Sequence, residues 1–212
     1  MWRAMTALLL LGPNTPMLFQ GQEFGSEAPF HYFADHDAPL VDSVREGRHE
    51  FLAQFPGIKD PALRGRLVAP EAPSTFAASV LDHDRRERPP EHLALHRDLI
   101  ALRRSDPAIE AAGRGALDGA VLGEGVFLLR YFGGAHGDRL LVVNLGLDYR
   151  PAILPEPLLA PPAAHLWVVA WSSEDPAYGG EGTPGFQPDA GWHVAGRSAV
   201  YLRSIPQTER SS

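Results

Sequence analysis

The sequence predicts an α/β segment followed by an all-β domain, and three observations support this fold class. First, residues 1–110 combine helical hydrophobic patterns with one short, wholly apolar run, as in a parallel sheet covered by helices. Second, the hydrophobic period changes from 3.6 to 2 residues near residue 110, which predicts antiparallel strands. Third, a lone parallel strand would leave its backbone groups unpaired, so the front segment resembles the last part of a larger α/β structure. We therefore expect two domains, residues 1–110 and residues 111–212.

The first 25 residues are interpreted as helix, turn, strand and loop. An apolar pattern over residues 2–11 predicts a buried helix that ends at a Gly-Pro pair. Its leucine run resembles the core of a signal peptide, but no small-residue cleavage motif follows, and the run is too short to cross a bilayer. Residues 17–19 are apolar and bounded by proline and glycine, which predicts a buried parallel strand. A glycine-bracketed polar loop follows over residues 21–25.

Two further helices are predicted before the all-β region. Residues 38–55 have a helical pattern that a Pro-Gly pair ends, and residues 58–88 are interpreted as an ordered but irregular loop. Amphipathic spacing from Pro90 through Arg104 predicts the second helix, which Pro107 ends.

The all-β region consists of alternating runs separated by turn residues. Residues 126–132 and 139–145 flank a Gly-Gly-Ala-His-Gly turn and predict a hairpin. Further strands are expected at residues 151–154, 165–171 and 198–203. The proline-rich segment 155–162 cannot occupy a central strand, because proline cannot donate to the sheet ladder.

Composition excludes several classes of function. The 212 residues contain no cysteine, which excludes disulfides, thiolate metal sites and cysteine nucleophiles and fits a cytoplasmic protein. The net charge of -7 gives no indication of a nucleic-acid partner or an anionic membrane surface. No phosphate-cradling glycine pattern is present.

Six short segments carry a resemblance to a known enzyme family. They are TPMLFQGQEFG (15–25), APFHYFADH (28–36), VREGRHEF (44–51), LVVNLG (141–146), PLLAPP (157–162) and WSSED (171–175). The first resembles the eighth strand and following loop of α-amylase-superfamily barrels. Together the six resemble malto-oligosyltrehalose trehalohydrolases, because branching enzymes share the strand motif but not the two segments after it.

This resemblance implies the C-terminal portion of a (β/α)8 barrel followed by an antiparallel β-sandwich domain. Residues 2–11 would end the seventh barrel helix, residues 17–19 would be the eighth strand, and residues 92–104 the eighth helix. Enzymes of this family hydrolyse the α-1,4 bond next to the terminal trehalose unit of malto-oligosyltrehalose, with retention of configuration and no cofactor, in cytoplasmic trehalose synthesis. Their catalytic carboxylates follow the fourth, fifth and seventh strands. The resemblance therefore implies no catalytic residue in this chain, a fragment inactive alone, and an upstream chain that completes the barrel.

The loop after the eighth strand supplies the candidate substrate contacts, because barrel loops at this end of the strands surround the active site. The candidates are Gln22, Glu23, Phe24, Phe30, Tyr32, Phe33, Asp35 and His36. The aromatic rings could stack on the sugar rings of an α-glucan or pack the loop onto the barrel, and we favour packing. Glu23 is expected to bind loop amides or an arginine. Asp35 and His36 could bind sugar hydroxyls or cap the following helix.

Metal binding and other functions find weaker support in the sequence. His92 and His96 have a spacing that can bind metal on one helix face, but no third ligand is near, so we expect no metal site. Trp167, Trp171 and Trp192 could form a carbohydrate platform, although core packing is the simpler interpretation. The open alternatives are another α-amylase-superfamily activity, such as a branching enzyme or glucanotransferase, and a non-catalytic glucan-binding module.

Overall fold

Five strands form one antiparallel sheet in the C-terminal half of the chain. The structure is a computed structural model that describes residues 1–58, 67–85, 90–112, 115–183 and 191–208. The strands are β1 Leu117–Gly123, β2 Val126–Tyr131, β3 Arg139–Asn144, β4 His165–Ser172 and β5 Ser198–Pro206. Their order is β1-β2-β3-β5-β4, and every neighbouring pair is antiparallel. The predicted antiparallel β-domain is therefore confirmed.

The described helices lie mainly in the N-terminal half. They are α1 Trp2–Leu11, α2 Ala38–Leu52, α3 Pro73–Ser79, α4 Pro90–Ser105 and α5 Pro107–Ala112. Three of them begin with proline, which fits the first helical position because its missing N–H would have no partner within the helix. The helices predicted over residues 2–11 and from Pro90 are confirmed, and the one predicted over residues 38–55 ends three residues earlier.

One face of the sheet is covered by α1, α4 and α5. Leu10 and Leu11 of α1 and Leu95 and Leu99 of α4 are fully buried and share one core with Tyr201 of β5. Burial of apolar area stabilises a fold by about 25 cal/mol per Å². The core between these helices and the sheet is therefore a main source of stability.

The other face of the sheet has a second core. In β3 the buried residues alternate between the two, since Leu141 and Val143 face the helices while Leu140 and Val142 face the second core. Non-strand segments cover this side, and they contribute Leu154, Leu158, Leu159, Trp192 and Val194. Outside the five strands, an isolated bridge joins Tyr149 to Val194. In the described residues the second layer of the domain is thus made of bridged and irregular segments.

Two predicted strands are not strands in the structure. Residues 17–19 are extended but have no assigned secondary structure, and Met17 and Phe19 are exposed while Leu18 packs on the core. Residues 151–154 are not strand either, since prolines at 151 and 155 remove donors that a ladder needs. The strand prediction is wrong for both segments as they stand in this chain.

Three elements were missed by sequence reasoning: strand β1, helix α3, and helix α5, which begins at the proline that was expected to end the preceding helix. Strand β1 contains Asp118, Gly119 and Gly123, which are poor strand formers, yet it pairs with β2 along six residues. Helix α3 lies inside the segment predicted to be an irregular loop, residues 58–88. Part of that prediction, at residues 59–66 and 86–88, lies outside the described residues.

Contacts divide the chain into two compact units. One contains Met1–Phe19 and Glu87–Ser212, and the other contains Gln20–Arg86. This grouping differs from the predicted domains, residues 1–110 and 111–212, because α1, α4 and α5 pack on the sheet. The predicted division, which follows the barrel and β-domain of the related enzymes, stays a prediction. None of the helices in the described ranges combines the length and the apolar character that a bilayer crossing needs.

Candidate functional site

The candidate loop begins with a turn that two glycines make possible. Gly21 and Gly25 both have φ in the left-handed region, at 78° and 65°, and they flank a 3-10 turn over Gln22–Phe24. A Cβ on Gly21 would lie 2.6 Å from the Cβ of Ser26, so a side chain there would also clash. The amide of Ser26 donates to the carbonyl of Gly21 at 2.9 Å, which closes the loop. The predicted glycine-bracketed loop is confirmed.

The candidate side chains of this turn differ in how deeply they are buried. Phe24 is buried, and its ring centroid lies 6.2 Å from that of His83. Gln22 and Glu23 are half-buried. The amides of Phe24 and Gly25 donate to backbone carbonyls, so Glu23 takes no part in the hydrogen bonds that hold the turn. An arginine partner for Glu23 stays a prediction.

Three phenylalanine rings form an exposed surface, which we call the aromatic patch: Phe30, Phe33 and Phe76. The ring centroids of Phe30 and Phe33 are 5.8 Å apart, and Phe33 meets Phe76 edge-on at 5.1 Å. These are favourable geometries for aromatic pairs. All three rings are exposed, at 50%, 38% and 55% of their surface. The predicted aromatic cluster is therefore present in part, with Phe24 turned inward and Phe76 in its place.

Tyr32 lies next to a cation and not against the other rings. The guanidinium of Arg48 on α2 lies over the Tyr32 ring, 4.8 Å from its centroid, which is within cation–π range. One turn earlier on α2, Arg45 forms an ion pair with Glu71, and this contact lowers the pKa of the Glu71 carboxyl. Both basic residues belong to the VREGRHEF segment.

Two buried hydroxyl groups hold the candidate loop against α3. Ser79 accepts from the amide of His31 at 3.0 Å and donates to the carbonyl of Thr75 at 2.9 Å. The hydroxyl of Thr75 in turn donates to the carbonyl of Ala69 at 2.6 Å. The amide of Ala34 donates to the carbonyl of Pro70 at 3.0 Å. Sequence reasoning missed these anchors, because serine and threonine in a segment interpreted as loop give no signal of burial.

Asp35 and His36 are exposed at the end of this loop. The capping alternative is wrong for both, since the N-cap residue of α2 is Asp37, and its side chain makes no capping hydrogen bond. Contact of Asp35 and His36 with sugar stays a prediction.

The other sequence candidates lie in the unit that contains the sheet. His92 stacks on Trp2 with ring centroids 3.9 Å apart, and burial together with His96 lowers its pKa. Nδ1 of His96 lies 2.8 Å from the backbone carbonyl of His92, and its buried Nε2 has no hydrogen-bond partner among the described residues. Within the described residues no three His, Asp or Glu side chains converge as a metal ion would need. Trp167 and Trp171 are core residues, as favoured, while Trp192 is only partly buried.

Exposed aromatic rings and polar groups lie on the same segment of the candidate loop. It presents aromatic faces held by a hydrogen-bonded scaffold, with amide and carboxyl groups on the same segment. Binding pockets for small molecules combine apolar surface with a few polar groups in this way.

Curated relatives match much of the chain. A malto-oligosyltrehalose trehalohydrolase of Deinococcus radiodurans is 40% identical over 152 residues, which cover 70% of this chain and 24% of that protein. The enzyme of the same name from Arthrobacter ramosus is 44% identical over 115 residues, covering 52% and 19%. That of Rhizobium sp. is 37% identical over 161 residues, covering 73% and 25%. Residues 114–201 also match a family model described as "Domain of unknown function (DUF3459)".

Solved structures agree in fold. A Salmonella typhimurium protein solved as a candidate alpha amylase superposes with a TM-score of 0.68 at 23% identity, covering 95% of this chain and 30% of that one. The alpha-amylase from H. orenii superposes with a TM-score of 0.51 at 14% identity, covering 96% and 35%. This chain shares the fold of these α-amylases. Its sequence is similar to the C-terminal portion of the malto-oligosyltrehalose trehalohydrolases, and it spans about a quarter or less of their length.

The same solved structures test the predicted fold class. The predicted fold class, the end of a (β/α)8 barrel followed by an antiparallel β-domain, is confirmed. That the loop between the extended segment at residues 17–19 and α4 corresponds to the loop after the eighth strand stays a prediction. Loops at this end of barrel strands surround the active sites of such folds.

Proposed function

We propose that the chain is the C-terminal portion of a retaining glycoside hydrolase that releases trehalose from malto-oligosyltrehalose. One observation carries the proposal: each of seven matched relatives is named malto-oligosyltrehalose trehalohydrolase, at identities from 36% to 48%. The exposed aromatic patch supports it, because rings held in this way suit the faces of sugar rings.

In this proposal the chain supplies glucan contacts and no catalytic group. Retaining hydrolysis needs two carboxyl groups about 5 Å apart, one as nucleophile and one as general acid. The resemblance places these groups after barrel strands that precede the matched segment. The aromatic patch would meet sugar faces, and Gln22 and Glu23 would offer hydrogen-bonding groups to hydroxyls.

The proposal also includes a polypeptide segment that completes the barrel. Residues 17–19 are extended, and Met17 and Phe19 are exposed although both are large and apolar. In a barrel such a strand is paired on both sides and covered on both faces. A segment that supplies the neighbouring parallel strands would cover these exposed side chains.

Product analysis tests the proposal. The longest coding sequence that contains these 212 residues is expressed and incubated with maltotriosyltrehalose. We expect trehalose and maltotriose as products. New α-1,6 branch points instead would indicate a branching enzyme, and the absence of both products would contradict the proposal.

The 212 residues alone provide the matched control. We expect no release of trehalose above a buffer blank, because the proposed catalytic carboxylates belong to another part of the enzyme. Release by the isolated chain would contradict that assignment and would place the acid and nucleophile among its own residues.

A further inference from the structure

A groove of about 400 Å³ lies on the face of the sheet opposite the helices, beside the start of β4. Its lining includes Leu154, Glu156, His165, Trp167, Trp192 and Gln207. Small-molecule sites in proteins have volumes of roughly 300–1,000 Å³ and combine aromatic surface with a few polar groups. We propose that this groove is a second glucan site, separate from the candidate loop, in which Trp192 packs against a sugar ring.

The wall of the groove formed by Leu159 and Ala160 is fixed before any ligand binds. The buried indole of Trp167 donates from Nε1 to the carbonyl of Leu159 at 2.8 Å. The guanidinium of Arg130 donates to the carbonyls of Leu158 and Ala160 at 3.0 and 2.7 Å. A preformed wall lowers the entropy cost of binding, because the segment has little freedom left to lose.

Arg130 is itself held in place, so these hydrogen bonds are not incidental surface contacts. Its Nη2 lies 2.7 Å from the carboxylate of Asp138, and both side chains are about 90% buried. The same guanidinium lies over the Trp167 ring, 5.5 Å from its centroid. The charge of the guanidinium is paired with Asp138, and its N–H groups donate to the two carbonyls. It therefore does not attract an anionic ligand to the groove.

The polar groups of the groove suit hydroxyl groups. One oxygen of Glu156 accepts from the amide of Leu158 at 2.9 Å, which orients a carboxylate that keeps further acceptor capacity. Nδ1 of His165 lies 2.8 Å from the carbonyl of Ala163, so Nδ1 donates and Nε2 is left as an acceptor. Gln207 adds an exposed amide with donors and an acceptor. Among the described residues the lining contains no lysine or arginine, which favours a neutral polyhydroxyl ligand over a phosphate or carboxylate.

A second groove, of about 500 Å³, provides a useful contrast. Among the described residues it is lined by Asp148, Glu174, Glu181 and His193, and it contains no Phe, Tyr or Trp. Three carboxyl groups without an apolar face give a neutral sugar no surface to stack on. The Trp192 groove is therefore the better glucan site of the two.

The choice of an α-linked glucan as the ligand rests on the proposed function, whereas the presence of a sugar site is inferred from the geometry of the groove. The complete 212-residue chain is titrated with maltoheptaose and, separately, with cellohexaose, with heat and tryptophan fluorescence as readouts. We expect saturable binding of maltoheptaose with Kd on the order of 1 mM. Binding of neither sugar would overturn the inference without touching the proposed enzyme activity. Binding of cellohexaose alone would overturn the assignment to an α-glucan.

Variants identify the surface that binds. We expect Trp192→Ala to weaken maltoheptaose binding at least tenfold and Gln207→Ala to weaken it several-fold. Trp2→Ala is the control, because Trp2 lies on α1 and stacks on His92 instead of lining the groove. Thermal melts check that each variant is folded. Gln207 is exposed, so its variant remains informative if Trp192→Ala unfolds. Equal affinity in Gln207→Ala and the unsubstituted chain, or an equal loss in Trp2→Ala, would contradict the site.

Discussion

Three buried tyrosine hydroxyls form hydrogen bonds between separate elements of the chain. The pairs are Tyr131 with the carbonyl of Leu11 at 2.6 Å, Tyr178 with Asp98 at 2.7 Å, and Tyr201 with Asp106 at 3.1 Å. Burial raises the pKa of all three phenols, and the neighbouring carboxylates raise those of Tyr178 and Tyr201 further. Each hydroxyl is therefore held as a neutral donor in the folded state.

The tyrosines predict a loss of stability at alkaline pH. An unfolded tyrosine has a pKa of about 10. Because the folded-state pKa values are raised, the stabilisation is complete below about pH 10 and is lost as the pH rises above it. We expect the urea midpoint to fall steeply above that pH. Three of the five tyrosines should ionise only on unfolding, measured by tyrosinate absorption. Ionisation of all five while the circular dichroism spectrum stays native would contradict this.

Arg103 predicts a second residue-scale effect. Its guanidinium donates to the carbonyls of Leu10, Gly12 and Asn14 at 2.7 to 2.9 Å and so satisfies the C-terminal end of α1. We expect Arg103→Ala to lower the free energy of unfolding by about 1–3 kcal/mol, the scale of hydrogen bonds to charged groups. Arg104→Ala, at the exposed neighbouring position, should change it by about 0.5 kcal/mol or less. Equal effects in urea melts would show that the carbonyl contacts contribute nothing.

Phe33 predicts an effect on substrate binding. In the trehalose-releasing enzyme proposed above, we expect Phe33→Ala to raise KM about two- to tenfold with little change in kcat. This corresponds to about 0.5–1.5 kcal/mol of aromatic contact made equally in ground and transition states. Phe51→Ala is the control, because Phe51 is also exposed but lies on α2, outside the aromatic patch. Identical KM values for both variants would remove the patch from the substrate site.

The candidate residues show how far sequence reasoning reaches at this scale. The motif predicted the glycine-bracketed loop, and two of the candidate rings, Phe30 and Phe33, pair on the surface. Whether a ring faces inward depends on the φ values of Gly21 and Gly25, which orient Phe24, and no residue pattern states them. Phe76 could not be found either, because it joins the patch from a helix more than forty residues away.

At the scale of elements, a prediction from sequence succeeds where the residues of the element themselves determine its structure. Helices α1 and α4 were predicted because long apolar periodicity decides a helix within its own sequence. Strand β1 was missed because its glycines and aspartate give it little propensity, and its pairing with β2 decides its state. Residues 151–154 show the opposite outcome: the sequence pattern predicts a strand, but the structure assigns none to them.

Helix α4 predicts a contrast between adjacent positions. Leu99 is fully buried between the helices and the sheet, while Ile100 is 36% exposed. We expect Leu99→Ala to lower the free energy of unfolding by about 2–5 kcal/mol, since it removes buried methyl groups and leaves a cavity. Ile100→Ala should cost clearly less. Chemical denaturation of both variants measures the difference, and a reversed order would mean that α4 faces the other way.

At the scale of the whole molecule, the fold is better defined than the division of the chain into domains. The related trehalohydrolases are about four times longer than the matched region. The helices that the resemblance assigns to a barrel pack, in this chain, on the sheet. Local patterns could not predict that grouping, because it depends on which apolar faces meet.

The central claim is that this sequence belongs to an enzyme that releases trehalose with retention of configuration. The most direct test is a proton NMR time course of maltotriosyltrehalose with the product of the longest coding sequence that contains it. We predict trehalose signals that grow together with the α-anomer of maltotriose, before mutarotation produces the β-anomer. A β-anomer formed first, or a time course without free trehalose, would contradict the claim.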